Sequence, residues 1–330
     1  IKFVVMRDDS KVIGENLTDC FFIDKETYGG EQRFRRYAVR GVTSAGEGAW
    51  IISSAIVVGD DYKLPFVEHF TGGSIDNRFW EAGANGNISY RLNPASGYDG
   101  QPGHASFDPK SSGAESKLVT GKISIKDMKN PMLTYWYYAV PGASTVMEVY
   151  AQAPDSVSTV VATTDFKGLN GDAGWRMGCA DLSGLVSLKY IRLGFRTVSG
   201  DDAIGSKLDE VTVRQGVEKN LALVMNSARK MEVDKASEVV LSVLNTGTAD
   251  FAVGSYRINM YKNGEPAGSI DGPALGSGKT AEVLIPVTPD IFDGDAVVLK
   301  AALEAEDDMN PEDDCTVEKT VAVRQNKYPM

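Results

Sequence analysis

The sequence predicts an all-β chain of tandem antiparallel β-sandwiches, and three observations lead to this fold class. Glycine is abundant, with 34 residues in 330, and valine, threonine and tyrosine are frequent, which suits short strands joined by turns. Segments in which apolar and polar residues alternate, as in a β-strand, recur roughly every ten residues, whereas the periodicity of an amphipathic helix is almost absent. Strands at that spacing without intervening helices indicate antiparallel sandwiches and not a parallel sheet.

The clearest strand lies at residues 256–261. Tyr256, Ile258 and Met260 share one face there, and Asn263-Gly264 follows as a pair that tolerates the two positive φ angles of a tight hairpin. The best helical candidate, at 226–235, is short and poorly patterned. Further strands are predicted at 239–244, 283–287, 297–303 and 317–323.

Charge and hydropathy exclude some classes of function. The net charge of −11 argues against a nucleic-acid partner, because phosphate binding requires a basic surface. No stretch reaches the ~18–20 apolar residues of a membrane span. The chain opens at Ile1 and not at Met, so we expect a fragment or a processed product.

Residues 1–59 contain the strand and turn FVVMRDD at 3–9, the strand RYAVRGV at 36–42 and the turn AGEG at 45–48. In these motifs the segment resembles the second half of a fibronectin type III domain. The resemblance implies a partial sandwich without the family's first two strands, acting as a spacer. It also implies that Tyr37 is a corner tyrosine, with its ring in the core and its hydroxyl on nearby backbone.

Residues 60–215 contain a series of motifs. They are LPFVEHF at 64–70, FW at 79–80, LTYWY at 133–137, GW at 174–175, IRLGF at 191–195 and KLDEVTV at 207–213. In these motifs and their order the segment resembles the jelly-roll domains of Bacteroidetes surface proteins, the choice-of-anchor J and cleaved-adhesin group, which are similar to MAM domains.

Two acidic residues in this segment lie two positions away from apolar residues, so in a strand they point to the same face as those residues. Glu68 alternates with Phe66 and Phe70, and Asp209 alternates with Val211 and Val213. A carboxylate that faces a core needs hydrogen-bond donors or a cation, because bare burial costs several kcal/mol. The residues alone leave two readings open: bonds to backbone N–H groups or to an arginine, or a shared cation.

The jelly-roll resemblance favours the cation, since related domains often hold a structural Ca²⁺ where the first and last strands meet. It implies Glu68 and Asp209 as ligands, and the loop acids Asp76, Asp201 and Asp202 as candidates to complete the oxygen shell.

The aromatic run at 135–138 gives a second candidate site. Tyr135, Trp136 and Tyr138 could form a sugar-stacking platform, because their amphipathic rings pack on pyranose faces. Aromatic residues at both odd and even positions of the run also suit a central strand with one face in the core and the other face under a loop. Trp80 and Trp175 are predicted to be core residues.

Residues 216–326 contain the motifs VVLSVLNTG at 239–247, ALGSGK at 274–279 and DDMNPEDD at 307–314. In these motifs the segment resembles the bacterial cell-adhesion-related immunoglobulin-like domain known as CARDB. That acidic loop could bind a cation, but it lacks the glycine and oxygen spacing of an EF-hand, and a solvated hairpin is the better interpretation. Residues 327–330 are predicted to be a tail.

Residues for nucleophilic chemistry are scarce. The chain has two histidines, His69 and His104, and neither lies in an HExxH or CxxC context. Cys20, Cys179 and Cys315 are far apart in the sequence, and we expect three separately buried thiols and no disulfide.

The sequence therefore predicts non-catalytic adhesion, binding and scaffold modules of a larger secreted or cell-surface protein. Their partner would be a glycan or a host or surface protein, and other domains of the same parent chain are expected beside them. One alternative is a carbohydrate-binding module accessory to a secreted hydrolase. Another is a hydrolase that works through acidic residues, since a glycosidase needs only two carboxylates.

Overall fold

Twenty-six strands and five short 3₁₀ turns account for the regular structure of the described part of the chain. The structure is a computed structural model, and it describes residues 1–8, 10–71, 79–83, 88–90, 97–226 and 230–325, without the side chains of 88–90 and 99. The chain divides into two compact units, Ile1–Tyr62 and Lys63–Met330. The all-β fold class predicted from strand alternation is confirmed.

The first unit contains two sheets. Its strands are β1 (Lys2–Arg7), β2 (Lys11–Leu17), β3 (Arg33–Arg35), β4 (Tyr37–Thr43), β5 (Gly46–Glu47), β6 (Ile51–Ile52) and β7 (Ile56–Val58). The larger sheet has the order β2-β1-β4-β5, with β6 also pairing with β4, and β3 pairs with β7.

Within the described residues, the Tyr37 hydroxyl bonds to side chains and not to backbone as predicted. Its hydroxyl contacts the Asp24 carboxylate at 3.0 Å and the Tyr28 hydroxyl at 2.9 Å. Arg7 also donates to Asp24, at 2.9 Å, and is 5% exposed. Burial opposes the charge of Asp24, but the bonds from Tyr28, the Glu26 amide, Arg7 and Tyr37 outweigh it and lower the pKa of the carboxyl. The side chains of Asp24 and Tyr28, from the loop after β2, therefore take the place of the backbone group that was predicted to bond to the Tyr37 hydroxyl.

The second unit begins with a sandwich of eleven strands, called here the middle sandwich. These are β8 (Phe66–Glu68), β9 (Trp80–Ala82), β10 (Ile88–Tyr90), β11 (Ala105–Phe107), β12 (Glu115–Thr120), β13 (Pro131–Ala139), β14 (Val146–Gln152), β15 (Ser158–Asp165), β16 (Gly174–Asp181), β17 (Arg192–Val198) and β18 (Ser206–Gln215). One sheet has the order β10-β11-β18-β13-β16, with β8 beside β18, and the other has the order β15-β14-β17-β12-β9.

The two sheets of the middle sandwich pack face to face. Leu133 and Tyr135 of β13 point into this core, where the Tyr135 ring meets Phe195 of β17 edge-on at 5.4 Å. Leu118 of β12 and Val149 of β14 are fully buried in the facing sheet. Burial of these rings and branched side chains is the main source of stability for the sandwich.

The remaining strands form a second sandwich, the last sandwich. They are β19 (Leu221–Met225), β20 (Lys230–Glu232), β21 (Ser237–Asn245), β22 (Arg257–Lys262), β23 (Glu265–Asp271), β24 (Thr280–Val287), β25 (Ala296–Glu304) and β26 (Lys319–Arg324). The sheets β19-β21-β24 and β20-β26-β25-β22-β23 enclose one apolar cluster.

Strand alternation predicted most of the last sandwich. Tyr256, Ile258 and Met260 are buried, and Asn263 and Gly264 have φ angles of 52° and 84°, as the hairpin prediction requires. The weak helical candidate at 226–235 is not a helix where the structure describes that segment, because Lys230–Glu232 is a strand. It pairs in parallel with β26, an exception to the antiparallel pattern.

The cysteine prediction is wrong in part. Cys179 is buried as expected, but Cys20 and Cys315 are exposed, and all three thiols are free. Cys20 follows β2 in a loop, and Cys315 lies between the last 3₁₀ turn and β26. No helix among the described residues is long and apolar enough to cross a membrane.

Candidate functional site

Strand β13 places its aromatic residues on two different faces of the sheet. Tyr135 is 2% exposed and lies in the core, whereas Trp136 and Tyr138 are half-buried on the outer face. The strand is central, between β18 and β16, so both of its faces can be covered. The three predicted ligand-binding residues therefore do not form one platform.

The outer face carries an aromatic cluster. Trp136 stacks on Tyr98, with ring centroids 3.5 Å apart and an interplanar angle of 15°. Tyr138 meets Trp175 edge-on at 5.9 Å, and the Lys207 ammonium lies 4.8 Å from the centre of the Tyr138 ring. The sequence did not point to Tyr98, and Trp175 was predicted to lie in the core.

A cleft of about 380 Å³ opens beside this cluster, and we call it the aromatic cleft. Tyr98, Trp136 and Trp175 line one side. The last sandwich supplies the other side, through residues 222–225 and 315–319 together with Asp313. Such a wall of aromatic rings with a few polar groups is typical of small-molecule sites.

The two sandwiches meet beside the aromatic cleft along an apolar strip, the junction seam. It consists of Met177, Cys179, Ala222, Val224 and Leu244. The alternation of residues along a strand does not show that another sandwich covers this outer face of the middle sandwich.

Polar contacts flank the junction seam. Arg176 of β16 is 1% exposed and donates to Glu282 of β24 at 2.6 Å. Ser277 donates to Asp181 at 2.7 Å. Gly278 has a φ of 64°, and a Cβ there would overlap the amide nitrogen of Asp181, so the two backbones approach closely only because this residue is glycine.

Glu68, the first predicted metal ligand, faces the core. It is 3% exposed, and its carboxylate accepts from the Phe70 amide at 2.8 Å and from the Trp80 indole N–H at 3.1 Å. These two donors provide the hydrogen bonds that a buried carboxylate needs. Trp80 is half-buried and not a full core residue as predicted.

Asp209, the second predicted ligand, lies on the opposite face because β18 contains a β-bulge. Thr134 pairs with Thr212, but Trp136 pairs with Asp209, so β18 has one extra residue between these pairs. Glu210 in the bulge has a φ of 48°. Paired residues share a face, so Asp209 lies on the Trp136 side and Glu68 does not. The convergence expected from strand alternation is not found.

Asp209 is fully buried beneath the 97–103 loop. Its carboxylate accepts from the amides of Tyr98 and Glu210, both at 2.8 Å. Burial raises the pKa of Asp209 to about 7, although these two bonds oppose the rise. The loop therefore covers a carboxyl that ionises at an unusually high pH.

Two backbone carbonyl oxygens lie near the same carboxylate, around Gly97. A Cβ placed on Gly97 would lie 2.5 Å from the Gly103 carbonyl oxygen, 2.6 Å from the Gln101 carbonyl oxygen and 2.7 Å from Asp209 Oδ2. Carboxylate and carbonyl oxygens are the donor type that Ca²⁺ prefers. The Gln101 oxygen already accepts from the Gly97 amide at 2.8 Å, and Glu68 is not part of this oxygen set.

The loop acids make other contacts. Asp202 accepts from the amides of Ser144 and Ile204, and the Ser144 bond lowers the pKa of its carboxyl. Asp201 accepts from the Ser112 hydroxyl at 3.2 Å. Asp76 lies outside the described residues. Within the described ranges, no group of three or more His, Cys, Asp or Glu side chains is arranged to hold a metal ion.

Both histidines lie near acids or hydroxyls. His69 Nδ1 is 2.6 Å from a carboxylate oxygen of Glu210, the bulge residue, and its side chain is 54% exposed. His104 is buried, and its Nε2 is 3.0 Å from the Ser106 hydroxyl. Ser106 is itself buried, and the partner of His69 is an acid, so neither of these two contacts places a histidine beside a nucleophile at an open cleft.

No protein-family model matches the chain, and no curated protein matches it. Solved structures do match parts of it. The K1 cleaved adhesin domain of Lys-gingipain from Porphyromonas gingivalis is 19% identical, covers 46% of this chain and 98% of its own, and gives a TM-score of 0.36.

Two other neighbours also match part of the chain. A CARDB domain from Pyrococcus furiosus, solved in complex with di-metal ions, is 19% identical and covers 33% of this chain and 92% of its own, with a TM-score of 0.29. A family 11 carbohydrate-binding module from Clostridium thermocellum, solved with a mixed-linked tetrasaccharide, is 12% identical, covers 45% and 94%, and has a TM-score of 0.31. Similarities this low transfer no ligand to this chain.

Proposed function

We propose that this chain is a non-catalytic binding segment of an extracellular adhesion or scaffold protein of the Bacteroidetes cell-surface type. The observation that carries the proposal is the junction of the two sandwiches. The junction seam buries Cys179, Ala222 and Leu244, and the Arg176–Glu282 ion pair flanks it. Two sandwiches fixed in this way present a lasting surface to a partner, which suits adhesion.

A second candidate function, carbohydrate binding, is favoured by the aromatic cleft. Trp136, Tyr138 and Trp175 place aromatic groups on one sheet face, and ring faces of this kind pack on sugars. The partner is then a glycan and not a surface protein. Of the residues predicted to form a sugar-stacking platform, Trp136 keeps that role in this candidate function.

A glycan array tests the two candidates against each other. If the aromatic cleft binds sugars, the wild-type chain labels a defined set of glycans and Trp136→Ala abolishes that labelling. Trp50→Ala is the matched control, because Trp50 stacks with Arg40 in the first unit and not in the cleft. A silent array contradicts the carbohydrate candidate. Surface-protein binding that survives Trp136→Ala supports adhesion through another face.

The hydrolase alternative is tested with panels of glycosidase and peptidase substrates. We expect no turnover. Turnover that co-purifies with the chain through several columns and is lost on substitution of an acidic residue would contradict the non-catalytic proposal.

We also propose a structural Ca²⁺ site at Asp209, with the carbonyl oxygens of Gln101 and Gly103 beside it. The ion would offset the cost of burying this carboxylate. We expect EDTA to lower the melting temperature of the wild type and to have no effect on Asp209→Asn. Glu68→Gln is the control and keeps the EDTA effect, because Glu68 faces the core. Identical wild-type melting with chelator and with Ca²⁺ contradicts the site.

A further inference from the structure

A second cleft, of about 500 Å³, lies on the other side of the junction seam, and we call it the tyrosine cleft. Met177 borders both clefts. The tyrosine cleft is lined by Tyr135 and Tyr137 of β13 and by the end of β15, and the last sandwich contributes Ser242 and Thr280. The cleft exists only where the two sandwiches are docked.

The hydroxyl of Tyr135 is the key group of the tyrosine cleft. The side chain is 2% exposed, and its ring and hydroxyl lie over Gly178, another lining residue. Among the described residues, no hydrogen bond to this hydroxyl is found. Burial raises the pKa of Tyr135 well above its usual value. The hydroxyl is not one of the buried side-chain atoms without a partner, so its oxygen opens to the cleft, where a ligand hydroxyl can bond to it.

Glu282, one of the charged residues that line the tyrosine cleft, is already paired. It accepts from Arg176 at 2.6 Å and from the amide and side-chain nitrogens of Asn170 at 3.0 and 3.1 Å. Arg176 also donates to the Asn170 carbonyl oxygen at 2.5 Å. The other two charged lining residues, Asp165 and Lys279, have opposite signs, so the wall carries no net charge that favours a charged ligand over a neutral one.

The remaining wall groups define the chemistry of that ligand. Hydroxyl groups come from both sandwiches, through Thr163 and Thr164 on one side and Thr280 on the other. Tyr137 adds an aromatic side chain to the wall, with its ring stacked on Phe166. Each hydroxyl both donates and accepts, which matches a ligand with several hydroxyls of its own and one apolar face.

We propose that the tyrosine cleft binds one neutral sugar unit, held by the Tyr135 hydroxyl and by threonine hydroxyls of both sandwiches. Its volume is within the range of small-molecule sites. The proposal goes beyond the binding role given above, because it concerns the face of β13 opposite to Trp136. Sugar recognition here also depends on docking of the two sandwiches.

The test uses the full chain and a panel of neutral probes: glucose, galactose, mannose, N-acetylglucosamine and their disaccharides. Saturation-transfer NMR identifies the sugars that bind, and titration calorimetry gives their affinities. Tyr135→Phe removes one oxygen and keeps the ring packing, so its melting temperature should not be lower than that of the wild type. We expect it to weaken binding about tenfold, which corresponds to the loss of one well-placed hydrogen bond.

Two further variants separate this site from the aromatic cleft. Thr280→Val, on the last sandwich, should weaken binding of the same sugar, whereas Trp136→Ala should leave it unchanged. Absence of binding by every probe overturns the proposal. Binding that survives Tyr135→Phe and is lost in Trp136→Ala also overturns it, and supports the aromatic cleft instead.

Discussion

Removal of one partner from the ion pair that flanks the junction seam should destabilise the fold far more than the same change in an exposed pair. Arg176 and Glu282 are 2.6 Å apart, and their side chains are 1% and 15% exposed. Glu282→Gln preserves the shape of the side chain and leaves the Arg176 charge buried without a counter-charge. Breaking a buried pair on one side costs about 3–5 kcal/mol, so we expect the free energy of unfolding to fall by about 3 kcal/mol.

The chain provides a matched control on its own surface. Arg257 and Asp271 are 2.9 Å apart, but their side chains are 53% and 63% exposed. Solvent and salt screen such a pair, so Asp271→Asn should cost less than about 1 kcal/mol. The difference between the two variants isolates the effect of burial.

Urea titration followed by tryptophan fluorescence measures both variants, because Trp136 and Trp175 lie next to the junction seam. The double variant Arg176→Met with Glu282→Gln should regain part of the loss, since it leaves no buried charge. The reasoning is refuted if Glu282→Gln lowers the free energy of unfolding no more than Asp271→Asn does. It is also refuted if the double variant loses more free energy of unfolding than Arg176→Met and Glu282→Gln lose together as single variants.

Three further predictions concern titration, thiols and the first unit. Burial raises the pKa of Asp209 from 3.8 to about 7. The folded state therefore holds more protons than the unfolded state between about pH 4 and pH 7, and with chelator present stability should fall as pH rises through this range. Asp209→Asn should flatten that slope in urea titrations at several pH values. For the thiols, burial raises the pKa of Cys179 to about 12, so a disulfide reagent should label Cys20 and Cys315 quickly and Cys179 only after unfolding, as counted by mass spectrometry. Asp24→Asn should destabilise the first unit by about 1–3 kcal/mol, because donors lose a charged acceptor, and faster amide hydrogen exchange confined to residues 1–62 would show it. Unchanged exchange there, a flat pH profile in the wild type or rapid labelling of Cys179 would contradict the respective prediction.

Local patterns predicted the elements whose determinants are local. The alternation of Tyr256, Ile258 and Met260 gave the inner face of β22, and the conformational tolerance of Asn263 and Gly264 gave its turn. Both depend on neighbours within a few residues. The fold class followed from repeating such short-range signals along the chain.

The candidate site depended on information that a single strand does not carry. Alternation placed Asp209 with Val211 and Val213, but the bulge at Glu210 arises from pairing with β13 and moves the carboxylate to the other face. In the same way, Cys179 faces outward from its sheet and is buried only because the last sandwich covers it. Pairing partners and docking faces are set by the tertiary structure, which periodicity does not report.

The covered outer face of the middle sandwich has a practical consequence for dissecting this protein. A fragment that stops at residue 215 would expose Met177, Cys179 and the rings of Trp136 and Trp175 to water together. An exposed apolar patch of that kind promotes non-specific association, so such a fragment would tend to self-associate and to adsorb unrelated proteins. Partners should therefore be sought with both sandwiches in one polypeptide.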